Sequence, residues 1–299
     1  MASGRWTTRR AEVLKRALAL LALMAAGPSL HAGSCAATPA GLAAKPVYLT
    51  FDTGHMAVAP LIAEVLQKHD VKVTFFGANE ATQSGNGNGS LGSDWAGWWK
   101  ARASEGHEFA SHTFDHSYWR ADVAGPGQAM RFKVRPSAGP QAGQDMLWTP
   151  AQYCAEVKKA ATRLQVLTGR EPLPLFRAPG GKTSPALLAA ARGCGWAHVA
   201  WAPAGFLGDE LPSERFPNAQ LLHKALRDIR TGDILVAHLG IWSRREPWAP
   251  AVLEPLIVGL QARGFCFATL REHPQFKGWI AQHSAATPAT SAASGGGRL

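Results

Sequence analysis

Short apolar runs alternate with amphipathic stretches from residue 46 almost to the end of the chain. "PVYLTF" (46–51) precedes "APLIAEVLQKHD" (59–70), whose apolar residues recur at three- and four-residue spacing, the period of a helix with one buried face. "VKVTFFG" (71–77), "HEFASH" (107–112), "LPLFRAP" (173–179), "AHVAWAP" (197–203), "DILVAHLG" (233–240) and "FCFATL" (265–270) read as further strands. Between them "WAGWWKARASEG" (95–106), "TPAQYCAEVKKAATRLQVLTG" (149–169), "SPALLAAARGCG" (184–195), "NAQLLHKALRDIR" (218–230) and "APAVLEPLIVGLQARG" (249–264) read as helices. Thr149 with Pro150 is a helix-start signal and Gly169 a stop. Strands this apolar need cover on both faces, which means a parallel sheet with crossover helices. Periodicity does not choose between a (β/α) barrel and a doubly wound sheet, but either gathers ligands at the C-terminal strand ends. Two polar stretches, 79–94 and 121–148, break the rhythm and read as long loops near that end.

The net charge of +10 suggests nucleic acid until its placement is considered. Five basic residues and one acidic one in the first sixteen positions contribute +4 of it, and no dense basic run interleaved with aromatics remains, so nucleic-acid binding is not expected. Those charges precede "ALALLALMAAGPSLHA" (17–32), an apolar run too short to span a bilayer comfortably and followed by small residues. That is an export signal over 1–32, with a linker over 33–45 and a domain over 46–275. The mature protein is expected in the periplasm or secreted, without a membrane span. "AGSC" (32–35) leaves a lipid anchor on Cys35 as a minority alternative. Residues 284–299, rich in Ala, Ser, Thr and Gly, read as a disordered tail. Export permits disulfides among Cys35, Cys154, Cys194 and Cys266, although Cys266, inside an apolar run, reads as a small buried residue.

Candidate chemistry lies where strands end. Asp52 and His55 follow the first, His112 the third, Arg177 the fourth and His238 the sixth. One such residue is unremarkable, but in this architecture the set faces one pocket. "SHTFDH" (111–116) places His112 and His116 four apart, which on a helical turn is a chelating pair for an ion of zinc or cobalt type. The bland alternative is two surface histidines beside a capping turn.

With these residues assembled, the chain resembles the polysaccharide deacetylase family, metal-dependent carbohydrate esterases that include chitin and peptidoglycan deacetylases. The resemblance spans about 46–272 and rests on "TFDTG" (50–54), "VTFF" (73–76), "EGHEFASHTFDH" (105–116), "FRAPGG" (176–181), "GDILVAHL" (232–239) and "GLQARGFCFATL" (259–270). It implies an α/β fold, a distorted (β/α) barrel of about seven parallel strands. It also implies Asp52 as catalytic base, Arg177 as its orienting cation, His238 as catalytic acid, and His112 and His116 as ligands of a divalent metal. Zinc is the first expectation, with cobalt, nickel or manganese as alternatives. The implied partner is an N-acylated glycan.

Departures from the family pattern fall close to the chemistry. The residue after Asp52, usually a second, metal-binding Asp, is Thr53, and a neutral hydroxyl is a poor ligand beside a carboxylate. Three outcomes stay open: His55 completes a three-histidine site, two histidines and water hold the ion weakly, or no metal binds and a glycan-binding protein remains. After Pro179, where an aromatic is common, come Gly180 and Gly181, which reshape a wall expected to touch substrate. The acidic residue that tunes the catalytic histidine is not obvious, and Asp209 is the candidate. "HTFDHSYW" (112–119) also looks like the histidine motif of a branch that deformylates a lipid-linked aminosugar. Of the eleven tryptophans, Trp242 is the expected sugar contact, while Trp95, Trp98 and Trp99 fit packing as well as stacking.

Overall fold

The computed structural model describes Cys35 and residues 44–84 and 87–284; the leader over 1–32 and the tail beyond Ser284 lie outside the described residues. Seven parallel strands form one curled sheet: β1 (Lys45–Asp52), β2 (Thr74–Gly77), β3 (Glu108–Ser111), β7 (Leu175–Phe176), β8 (Ala197–His198), β9 (Ile234–His238) and β10 (Phe265–Phe267). β1 pairs with β10 along its first three residues, with β2 along its last three, and with β9 from Tyr48 to Asp52. Between β8 and β9 the sheet is completed by irregular chain: Ala202 N–H donates to Ile234 O and Leu207 N–H to Val236 O. The result is the distorted barrel that the family resemblance implied.

Side-chain parity then decides what faces inward. Successive residues of a strand point to opposite faces. Val47, Leu49 and Phe51 face the helix layer and pack with Ile62 and Leu66 of α1 (Ala59–Lys68) and Leu256 and Leu260 of α6 (Leu253–Ala262). Tyr48 faces the interior with Ala110, Leu175 and Ile234. Asp52, His112, Arg177 and His238 share the parity of those four interior residues, so all four arrive on the inner surface at its C-terminal end.

The remaining helices are α2 (Ala96–Ser104), α3 (Pro150–Thr168), α4 (Pro185–Gly193), α5 (Asn218–Asp228) and α7 (Lys277–His283). α3 begins at a full capping box, in which Gln152 N–H donates to Thr149 Oγ1 and Thr149 N–H donates to Gln152 Oε1, and it ends at Gly169 with φ 69°. α7 continues the fold past residue 275 and buries Ile280.

Two expectations are corrected here. The stretch 121–148 is not a loop: β4 (Ser117–Ala124), β5 (Met130–Pro136) and β6 (Met146–Trp148) form an antiparallel sheet. Phe132 and Val134, two apart in β5, turn inward onto Tyr153 and Val157 of α3, which is why this segment orders. Cys266 is not a lone buried thiol. It forms a disulfide with Cys35, and Cys154 pairs with Cys194, so no described cysteine is free. The Cys35 sulfur that a lipid anchor would use is thereby engaged. Among the described residues no helix is long and apolar enough to cross a membrane.

Candidate active site

Asp52 and His238 are register partners on neighbouring strands. The strand ends stay this close because Gly54 meets Gly240: a Cβ on Gly54 would lie 2.0 Å from Gly240 O. Arg177, fully buried, donates from Nη1 to Asp52 Oδ1 at 2.6 Å and to Thr50 Oγ1 at 2.9 Å, and from Nε to Val199 O at 3.2 Å. Its guanidinium lies 4.2 Å from the centre of the Phe76 ring, so it is held from both edge and face. Burial alone would raise the Asp52 pKa, but Arg177, His112 and His238 outweigh it and hold the carboxyl below the ordinary aspartate value. The carboxylate is ionised and held in place.

His112 donates from Nδ1 to the Arg177 carbonyl at 2.9 Å, which leaves Nε2 with its lone pair; Asp52 Oδ2 is 3.6 Å from it. Burial lowers the pKa to about 4, so the ring is neutral at neutral pH, the form a metal requires. His116 does not follow on a helical turn, as its four-residue spacing suggested. Thr113 and His116 have φ of 59° and 47°, and the tight turn they build sets the two imidazoles 4.8 Å apart, centre to centre. Ser137 from the end of the hairpin donates its hydroxyl to His116 O and lies 2.6 Å from His116 Nδ1. This contact fixes the orientation of the ring.

Asp209 is the acidic partner of His238. Both its oxygens lie 3.1 Å from Nδ1, and Oδ2 accepts the His238 backbone N–H at 2.6 Å. Burial opposes a charge on the ring, but Asp209, with a further contribution from Asp52, outweighs it and raises the His238 pKa to about 10. His238 is therefore protonated at neutral pH, with its Nδ1 committed to Asp209.

Asp52, His112, His116 and His238 line a cavity of about 430 Å3 with Glu80, Tyr118, Ser137, Gly180, Trp201, Glu210 and Trp242. Trp242 lines it too and is 66% exposed. Gly180 reaches the wall, where a Cβ would strike Tyr118 Cε1 at 2.9 Å; Pro179 is buried behind it and does not line the cavity. A larger concavity, about 910 Å3, lined by Trp196, Trp201 and Trp279, has no carboxylate and no acid–base pair.

His55 is the expectation that the geometry corrects. Its Nδ1 accepts the Ala57 N–H at 3.1 Å, its ring packs edge-on against Trp242 at 5.1 Å, and it lines a neighbouring cavity rather than the one holding His112 and His116. Trp99 is fully buried and Trp95 and Trp98 pack on the same core, so these are packing residues. Glu80, Tyr118 and Glu210 were not singled out in the sequence. They lie in polar or mixed stretches without periodic signal, and only the fold brings them here.

The donor set suits a divalent ion of zinc type: the imidazoles of His112 and His116, each with an oxygen partner at Nδ1, and carboxylates on the same wall. Among the described residues no three His, Cys, Asp or Glu side chains already close about one point.

A curled parallel barrel whose adjacent strand ends present an ionised Asp–Arg pair beside a protonated His–Asp pair defines a hydrolase of the amidohydrolase class, acting on carbon–nitrogen bonds. The chain belongs to the polysaccharide deacetylase family, which residues 40–199 match. It is 26% identical over 234 residues, 75% of this chain and 92% of the relative, to a chitooligosaccharide deacetylase of Azorhizobium caulinodans. Among solved structures it is similar to a family 4 acetyl xylan esterase from Clostridium thermocellum in complex with a cobalt ion, with TM-score 0.56 and 22% identity over 78% of this chain and 92% of that one. It is also similar to a family pseudoenzyme from Bacillus anthracis, with TM-score 0.54 and 18% identity over 77% of this chain and 65% of that one.

Proposed function

We propose that the protein is an exported, metal-dependent deacetylase of an N-acetylated aminosugar within a cell-envelope glycan. The observation that carries this reading is the meeting of the Asp52–Arg177 and His238–Asp209 pairs at adjacent strand ends, a general base and a general acid that line one cavity together with His112 and His116. His112 and His116 would hold the ion through Nε2. When bound, a divalent ion polarises the acetamide carbonyl and makes hydroxide available near neutrality. Asp52 takes the proton of the attacking water, and Arg177 keeps it ionised and oriented. His238 delivers its Nε2 proton to the departing sugar amine, while Asp209 steadies the imidazolium. Trp242 and Trp201 offer flat faces for the apolar side of a sugar ring, and Glu210 and Tyr118 offer polar contacts. The name of the Azorhizobium relative supports a chitooligosaccharide-like substrate. The basic-then-apolar leader and the two disulfides support an oxidising compartment outside the cytoplasm.

The test is acetate release from chitooligosaccharides by purified protein supplied in turn with zinc, cobalt, nickel or manganese. Release that depends on added metal is expected. Saturable oligosaccharide binding without release under any of the four would favour the glycan-binding alternative instead.

A further inference from the structure

We infer that Glu80 supplies the metal-binding carboxylate that Thr53 lacks, so that the ion is held by His112, His116 and Glu80. This rests on the metal-dependent reading above and says how this chain completes the site.

Thr53 is unavailable as a ligand. Its Oγ1 accepts the Ala78 N–H at 3.0 Å, and its hydroxyl donates to Glu80 Oε2 at 2.7 Å. The residue in the expected ligand position therefore orients another carboxylate. With Oε2 held there, Oε1 lies 3.7 Å from His116 Nδ1 on the lining that also holds His112 and Asp52. Glu80 therefore places its carboxylate beside the His116 ring, on the wall that also carries His112. Asp52 is less suited to the role, because Arg177 holds its Oδ1.

The backbone beneath Glu80 is built to hold it. Glu80 N–H donates to Ser90 Oγ at 3.0 Å, Ser90 N–H donates to Glu80 O at 2.8 Å, and Ser90 Oγ donates to Ala78 O. Ser90 is fully buried, and Trp99 Nε1 donates to its carbonyl at 2.8 Å. Such support for one partly exposed glutamate next to two imidazoles is what metal ligands receive and what a surface charge does not need.

The experiment is equilibrium zinc binding, measured by competition with a chromophoric chelator, on wild type, Glu80→Gln, His112→Ala and the double variant Thr53→Asp with Glu80→Gln. Glutamine keeps the shape and can still accept the Thr53 hydroxyl, so a purely structural role survives the change. We expect one zinc per wild-type chain, affinity at least about 100-fold weaker in Glu80→Gln, and recovery of most of that loss when Asp replaces Thr53. Wild-type affinity in Glu80→Gln with loss in His112→Ala would overturn the role of Glu80 and leave the histidine site standing. Loss in Glu80→Gln that Asp at position 53 does not restore would also count against it. No zinc in wild type, or zinc kept by His112→Ala, would remove both this inference and the metal site it rests on.

Discussion

Asp52 shows how much of the chemistry is set by one residue's neighbours. It must stay ionised in a buried place, and Arg177 is what makes that possible. Asp52→Asn keeps the volume and removes the base: turnover of a chitooligosaccharide is expected to fall beyond about 10³-fold with zinc content and unfolding temperature unchanged. Wild-type rates in that variant would take Asp52 out of the mechanism. His238 carries the opposite requirement. Asp209 raises its pKa to about 10, so the acid form persists through neutral pH and the alkaline limb of the rate profile should lie near 10. In Asp209→Asn that limb is expected to move down towards the ordinary histidine range near 6.5, seen as a falling rate at pH 8. The same sign governs stability. With the folded pKa above the unfolded one, the ion pair stabilises fully below about pH 6.5 and loses that contribution as pH rises through about 10.

Among the elements, the strand ends are positioned by backbone contact more than by side chains. A methyl on Gly54 would meet Gly240 O, forcing apart the ends that carry Asp52 and His238. Gly54→Ala is expected to cost about 1–3 kcal/mol in urea unfolding and to lower activity with it. Thr149→Ala, which removes the helix cap far from the cavity, should cost about 1 kcal/mol and spare activity, so the pair separates site geometry from general stability. Legibility differed by element for physical reasons. Strand runs and their polar ends were readable because parity and apolar length are local properties of the chain. His112 and His116 were found by spacing, but their turn was not, since positive φ at Thr113 and His116 leaves no mark in those residue types. The alternation in "MRFKVRP" was present and lost among polar neighbours. Glu80 could not be read at all. It sits in "NEATQSGNGNGS", which has no periodicity, and its role depends on Ser90 and Trp99 arriving from farther along the chain.

Across the whole molecule, the disulfide between Cys35 and Cys266 spans 231 residues and joins the chain's start to its last strand. Cys35→Ser with Cys266→Ser is expected to lower unfolding free energy by about 2–5 kcal/mol, with the active-site chemistry unaltered at low temperature. An unchanged denaturation midpoint would mean the bond contributes nothing in solution.

That bond also fixes a direction. Cys266 sits beside Pro46, six residues before Asp52 along β1, so the staple lies roughly 20 Å from the catalytic strand ends, towards the opposite mouth of the barrel. Whatever is fused to or immobilised through the chain upstream of Cys35 is therefore leashed at the back of the enzyme. Tethered to a bead or a surface by that end, the protein would present its cavity outward, towards a polymer too large to diffuse to it.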